Sequence, residues 1–147
     1  ERAKSQNIPM KLWNRHQKGE TIEQVGVCYK PEMVLGPARR GLKVTYCTDT
    51  RPVPVIAEYA ADSDLFICEG MYGEDGKEAK AREKKHMTFY EAAKLAKEAQ
   101  PKEMWLTHYS PSLTRPEEFI DKVREIFPRT IAAKDGRTVE LEFDDNE

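Results

Sequence analysis

No apolar run in this 147-residue sequence approaches the roughly 18–20 residues that a bilayer-spanning helix requires, and no charged, apolar, small-residue leader is present. The pattern argues against a membrane partner and against export, and a cytoplasmic location is expected. Cysteine is scarce. Cys28, Cys47 and Cys68 make an odd count without a Cys-x-x-Cys pair, which speaks against both a disulfide framework and a thiolate zinc site. Cys47 and Cys68 fall within apolar runs and are expected as small buried hydrophobes in a reducing compartment. Only three histidines occur, His16, His86 and His108. An initiator methionine is missing from the start, Glu1-Arg2-Ala3, and regular α/β patterning begins only near residue 42. Processing or a fragment is the expectation.

Apolar residues at 39% and charged residues at 34% suit one domain with a modest core. The charge is unevenly placed. Residues 1–51 carry ten basic against five acidic side chains, and the remainder carries fourteen against twenty-one. The basic end suits a polyanion and the acidic end does not. Residues 1–41 are punctuated by Pro9, Gly19, Gly26, Pro31 and Gly36-Pro37 and read as an extended basic arm, with a short helix over Met10–Lys18. Leu12, Trp13, Ile22 and Val25 suit a small cluster or hairpin. Trp13 among Lys11, Arg15 and Lys18 offers either a stacking surface for nucleic acid or an apolar anchor for the arm. His16 reads as solvated.

From Gly41 the pattern alternates. Val44 and Tyr46 mark a short buried strand over 43–47, and Arg51-Pro52-Val53-Pro54 stops it and opens a helix over 53–61 with Val55, Ile56, Tyr59 and Ala60 at helical spacing. A second strand spans 64–68. Residues 70–85 read as a mobile loop with a helical turn near 77–84. Thr88-Phe89-Tyr90-Glu91 has capping-box spacing and opens a helix over 89–99, stopped by Pro101. A third strand covers 103–107. Thr114 and Glu117 form a second capping box, opening a helix with Phe119, Ile120, Val123, Ile126 and Phe127 as its apolar stripe. Strands at 130–133 and 138–143 around Asp135-Gly136 suggest a terminal hairpin. The expected class is α/β.

Four titratable residues stand at strand ends or before a helix: Asp49, Glu69, His108 and His86. Open α/β sheets place ligand crevices at such positions. Asp49 and His108 offer oxygen and nitrogen donors of the kind zinc or manganese accepts, although a catalytic zinc takes about three protein ligands. Glu69 suits a carboxylate that orients the imidazole of His86, making that residue a candidate acid or phosphate donor.

In their order and spacing, Thr48-Asp49-Thr50-Arg51, Cys68-Glu69-Gly70-Met71, His86-Met87-Thr88 and Thr107-His108-Tyr109-Ser110 resemble the later motifs of the ribonuclease Z family. These are tRNA 3′-processing endonucleases of the metallo-β-lactamase fold, whose motifs read approximately Gly-Asp-Thr-Arg, His-Glu-Ala-Thr, His-Ser-Thr and Thr-His-Phe-Ser. Lys18-Gly19-Glu20-Thr21 and Leu35-Gly36-Pro37 extend the likeness into the arm from which bacterial members grip tRNA. The resemblance implies that residues 42–147 are the carboxyl-terminal half of an αββα sandwich and residues 1–41 part of a tRNA-binding exosite. It further implies Asp49 as a carboxylate bridging two metal ions, His108 as a ligand, and His86 acting at the scissile phosphate or leaving oxygen with Glu69 in support. Lys11, Trp13, Arg15 and Lys18 would touch RNA, and two Zn2+ ions, or Mn2+, would assist hydrolysis of a tRNA precursor.

Thr48, Cys68 and Met87 stand where the family has glycine, histidine and serine, and its His-x-His-x-Asp-His cluster has no counterpart here. A zinc-dependent endoribonuclease inactive as this segment alone is therefore expected. A half-sandwich also exposes an apolar sheet face, so a homodimer is expected. The alternatives are another phosphodiesterase of the same fold and a non-catalytic RNA-binding or assembly module.

Overall fold

The computed structural model describes residues 2–36 and 39–143. Pro37 of the Leu35-Gly36-Pro37 motif, Glu1 and Ala38 of the arm, and the last four residues of the expected domain lie outside the described residues. The chain divides into two compact units between Arg40 and Gly41.

The first unit is folded on itself and is not an extended arm. It contains helices α1 (Arg2–Ser5) and α2 (Met10–Gln17), strands β1 (Ile22–Gln24) and β2 (Val27–Tyr29), and a 3-10 turn over Pro31–Met33. Pro9 stands before α2, and its fixed φ suits a helix start. The two strands pair antiparallel with Gln24 opposite Val27, leaving Val25-Gly26 as a two-residue turn. Both turn residues have positive φ, 53° and 74°, the signature of a type I′ hairpin whose twist matches its strands. Ala3, Ile8, Leu12 and Ile22 form the small core, joined by Trp13, Tyr29, Met33 and Val34. Val25, expected in that cluster, is instead exposed at the turn. His16 is fully buried, not solvated. The helical repeat places it one turn beyond Leu12 on the same face, and its Nδ1–H donates to the Glu20 carbonyl at 2.9 Å.

The second unit is a parallel α/β sheet. Strands β3 (Val44–Cys47), β4 (Leu65–Glu69), β5 (Met104–Thr107) and β6 (Thr130–Ala132) lie in that spatial order, each parallel to its neighbour. Between them run α3 (Pro54–Ala60), α4 (Glu78–Lys84), α5 (Phe89–Ala99) and α6 (Ile120–Arg124). The terminal hairpin is not formed. The segment at 130–132 joins β5 as a parallel edge strand, and residues 138–143 adopt no strand, because Met104 and Trp105 already offer an open ladder to Thr130 and Ile131.

Strand alternation sorts the sheet into two faces. Phe66, Cys68, Met104 and Leu106 point to one side, where Ile56, Ala60, Phe89, Ala92, Ala93, Ala96, Ile120, Val123 and Phe127 complete the main core. The alanine face of α5 allows close approach to the sheet. Burying each large residue of this set contributes about 1.5–3 kcal/mol. On the other face Leu65, Trp105 and Ala133 are buried, with Leu141 and the Arg137 guanidinium covering them. Val44 and Tyr46 share that face but are exposed, 54% and 66%, which corrects the buried-strand expectation. The reason is position: β3 is a sheet edge, with β4 as its one neighbour among the described strands. On α3 the packing residues are Ile56, Ala57 and Ala60, while Val55 and Tyr59 face outward.

The capping box at Thr88 is present as expected, with Glu91 N–H donating to Thr88 Oγ1 and Thr88 N–H to the Glu91 carboxylate. The one expected at Thr114 is absent. Pro116 begins a 3-10 turn over Pro116–Phe119 that feeds α6, and Glu117 pairs with Lys134 instead.

Candidate metal centre

Three connections at the carboxyl ends of β3, β4 and β5 converge. After β3 the chain turns sharply at Asp49, whose φ is 56°. The next amide, Thr50 N–H, donates to Glu69 Oε1 at 2.5 Å. Glu69 ends β4 and is fully buried. Its other oxygen accepts from Met87 N–H at 3.3 Å and from His86 Nδ1 at 3.1 Å. One buried carboxylate thus ties the Asp49 turn to the His86 segment.

His86 is delivered by the end of α4. Lys85 caps that helix in the left-handed conformation while His86 N–H still reaches the Ala81 carbonyl, fixing where the chain leaves. Beyond Glu69, Gly70 passes so close to Phe89 and Leu106 that a Cβ would lie 2.7 Å from the Phe89 ring. Met71 then bridges two segments: its N–H donates to the Met87 carbonyl and its carbonyl accepts from Ser110 N–H. His108 follows β5 at φ 57°, and the next residue, Tyr109, anchors the loop by directing its hydroxyl at the Leu106 and Ala133 carbonyls, 2.5 and 2.9 Å away. Burial raises the Tyr109 pKa, which keeps that hydroxyl a donor.

The resulting cluster is compact. Asp49, His86 and His108 each offer a ligand atom within 4.8 Å of the others. Asp49 Oδ1 lies 3.5 Å from His108 Nε2 and 3.7 Å from His86 Nδ1, and the imidazole centroids are 5.3 Å apart. A carboxylate and two imidazoles suit a divalent cation that takes mixed oxygen and nitrogen ligands. The Nδ1–H of His86 is committed to Glu69, which leaves Nε2 with its lone pair, the outer carboxylate arrangement common behind metal-bound histidines. Asp49 is 69% exposed and His108 37%, so the cluster opens to solvent on one side.

Two sulfur atoms lie beneath it. The Cys68 thiol is 3.8 Å from Met87 Sδ, both residues fully buried, so two of the departures from the resembled motifs touch one another. Cys47 is opposite Cys68 in register and only half-buried; the neighbouring Cys47 thiol and burial together push the Cys68 thiol well up. The four residues singled out in the sequence, Asp49, Glu69, His86 and His108, are thus brought to one place. The amides of Thr50 and Met87 that hold Glu69 are announced by no side-chain pattern in the sequence.

The expected RNA contacts lie in the first unit. Lys11, Arg15 and Lys18 follow at four and then three residues along α2 and its carboxyl cap, and all are exposed. Arg15 is paired with Glu20 at 2.7 Å. Trp13 is partly buried, with its indole N–H donating to the Ile8 carbonyl at 2.9 Å, which makes it an anchor of this unit. Among the described residues no helix is long and apolar enough to cross a membrane.

Comparison with known proteins places these features in a family. The Beta-lactamase superfamily domain matches residues 15–109, which include Asp49, Glu69, His86 and His108. The chain is 66% identical over 145 residues to ribonuclease Z of Lachnospira eligens and 60% identical over 147 residues to ribonuclease Z of Lachnoclostridium phytofermentans. These matches cover 99% and 100% of this chain and 48% of each relative, so the chain spans about half the length of the curated relatives it matches. Among solved structures, the metallo-beta-lactamase fold protein YhfI of Bacillus subtilis superposes with a TM-score of 0.53 at 24% identity, over 60% of this chain and 35% of that one. The chain belongs to the beta-lactamase superfamily, and its curated relatives there are ribonucleases Z.

Proposed function

We propose that this chain is the carboxyl-terminal part of a zinc-dependent endoribonuclease that trims the 3′ end of tRNA precursors in the cytoplasm, with Mn2+ as the alternative ion. The observation that carries the reading is the convergence of Asp49, His86 and His108 within 4.8 Å, backed by a buried Glu69, in a chain up to 66% identical to ribonucleases Z. A bound divalent cation would supply Lewis-acid charge at a phosphate oxygen and acidify water. Asp49 Oδ1 and His108 Nε2 would hold it.

The remaining work falls to this chain's own groups. Glu69 fixes the His86 ring through Nδ1, so His86 Nε2 presents a single, oriented site for exchanging a proton with the leaving 3′ oxygen or for contacting the phosphate. The Asp49 turn is held by Thr50 N–H on the same carboxylate, which keeps the two groups in step. Lys11 and Lys18, exposed on one stripe of α2, give the RNA backbone a place to bind, with Arg15 joining when it leaves Glu20. An open groove of about 470 Å³ beside β3, lined by Val44, Tyr46, Val55 and Tyr59, gives two copies an apolar surface for a homodimer.

The test is cleavage of a precursor tRNA and of a small phosphodiester, by this chain and by a version extended upstream to the relatives' length. The expected result is 3′-end cleavage by the long form only, lost on chelation and on Asp49→Ala. Hydrolysis of the small diester without action on tRNA would refute the substrate, and cleavage by this chain alone would refute its incompleteness.

A further inference from the structure

Glu69 is not the only carboxylate that joins the Asp49 turn to the His86 segment. Arg51, two residues beyond Asp49, reaches α5 with a forked pair of hydrogen bonds: Nη2 to Glu91 Oε1 at 2.5 Å and Nη1 to Glu91 Oε2 at 3.1 Å. The same Nη1 also donates to the backbone carbonyl of His86. Glu91 Oε2 in turn accepts from Thr88 N–H at 2.9 Å, two residues after His86. The side chains are 25% and 18% exposed, so the pair is shielded from most solvent screening. Burial by itself would raise the Glu91 carboxyl, but the Arg51 guanidinium and the Thr88 amide together hold it below the usual carboxylate range.

The His86 segment is therefore gripped from both sides. Glu69 holds its ring and the amide after it; Arg51 holds the carbonyl of the same residue. A peptide unit fixed at both its carbonyl and the following N–H has little freedom to rotate, and the ring it carries is aimed accordingly. Both grips lead back to the two residues that follow Asp49: Thr50 for Glu69, and Arg51 for Glu91. We propose that Arg51 and Glu91 are positioning residues that set the His86 ring relative to Asp49 and His108, a role resting on the metal-dependent reading above. Lysine cannot replace Arg51 here, because one ammonium cannot span both Glu91 oxygens and the His86 carbonyl in a planar fork. Their effect on chemistry passes through His86, since neither belongs to the cluster of potential ligands.

Two variants separate this role from helix capping. Glu91→Gln keeps the capping box, which accepts glutamine equally, but removes the charge that Arg51 engages. Arg51→Lys keeps the charge and removes the fork. The readout is the His86 ring in the chain without metal, at fixed neutral pH, by nitrogen and proton resonances of its Nδ1–H. The expected result is that solvent exchange of this proton becomes at least about tenfold faster in both variants, while the thermal unfolding midpoint still shows a folded chain. Unchanged ring exchange in a folded Glu91→Gln chain would overturn the proposal, and that variant decides alone if Arg51→Lys unfolds. Zn2+ uptake by the form extended to the relatives' length tests the metal-dependent reading separately: no uptake there would refute that reading, while ring exchange still decides whether Arg51 and Glu91 position His86.

Discussion

Asp49 Oδ1 and His108 Nε2 lie 3.5 Å apart although they follow strands β3 and β5, which are separated by β4. Both residues have left-handed backbones, φ 56° and 57°, immediately beyond the last strand residues and one connecting threonine or none. A left-handed residue reverses the chain within one step, so each side chain turns back over the end of β4 rather than continuing outward. For residues with a Cβ this conformation costs about 1–2 kcal/mol, although Asp and His tolerate it better than most.

Asp49→Gly tests that cost against function. Glycine takes positive φ freely, and among the described residues the ion-pair partners of the Asp49 carboxylate are the imidazoles of His86 and His108. The chain should gain up to about 1 kcal/mol in urea unfolding while its affinity for Zn2+ falls by at least tenfold. A variant destabilised by more than 1 kcal/mol would show that the carboxylate supports the fold itself.

Glu69 behaves in the opposite way. Removing its carboxylate in Glu69→Ala leaves the Thr50 and Met87 amides without their acceptor inside the protein. Each stranded donor costs about 1–3 kcal/mol, so a loss of about 2–4 kcal/mol is expected from chemical denaturation. A loss under 1 kcal/mol would mean that water or another group takes over.

The hairpin of the first unit carries an avoidable strain. Val25 occupies the first turn position at φ 53° and is 94% exposed, so its branched side chain packs against little and suffers the left-handed clash. Asparagine is favoured at this position of a type I′ turn. Val25→Asn should stabilise this unit by about 1 kcal/mol, read as slower amide exchange in β1 and β2; faster exchange would contradict the assigned turn.

Acid should release the grip of Arg51. The Glu91 carboxyl is held lower in the folded chain than in the unfolded one. Its contribution is therefore complete above the unfolded value, about 4.3, and disappears as pH falls through the folded value. Glu91→Gln should be less stable than the parent at neutral pH, and the two stability curves should begin to approach one another only below the unfolded carboxyl value and converge once pH has passed below the lower, folded one. Parallel curves across that range would exclude the ion pair as the source.

Much of this was legible in the sequence because the signals were local. The helix at 89–99 declares itself through Thr88, Glu91 and an alanine face, and Asp49, Glu69, His86 and His108 stand out as polar groups at element ends. What escaped depends on distant partners. Val44 and Tyr46 look like core residues until β3 proves to be an edge, and Thr130–Ala132 looks like half of a hairpin until the open side of β5 competes for it. His16 sits among basic and polar neighbours in sequence, yet helical spacing turns it inward beside Leu12. The link between Arg51 and Glu91 spans forty positions, beyond any motif window.

The most direct test is titration of the chain with Zn2+ while following the ring resonances of His86 and His108, repeated in Asp49→Gly and His108→Ala. Both rings should shift together and saturate in the parent, and both variants should lose that response at the same metal concentration. Saturating uptake that leaves the two rings unmoved, or that survives loss of both Asp49 and His108, would contradict the centre described here.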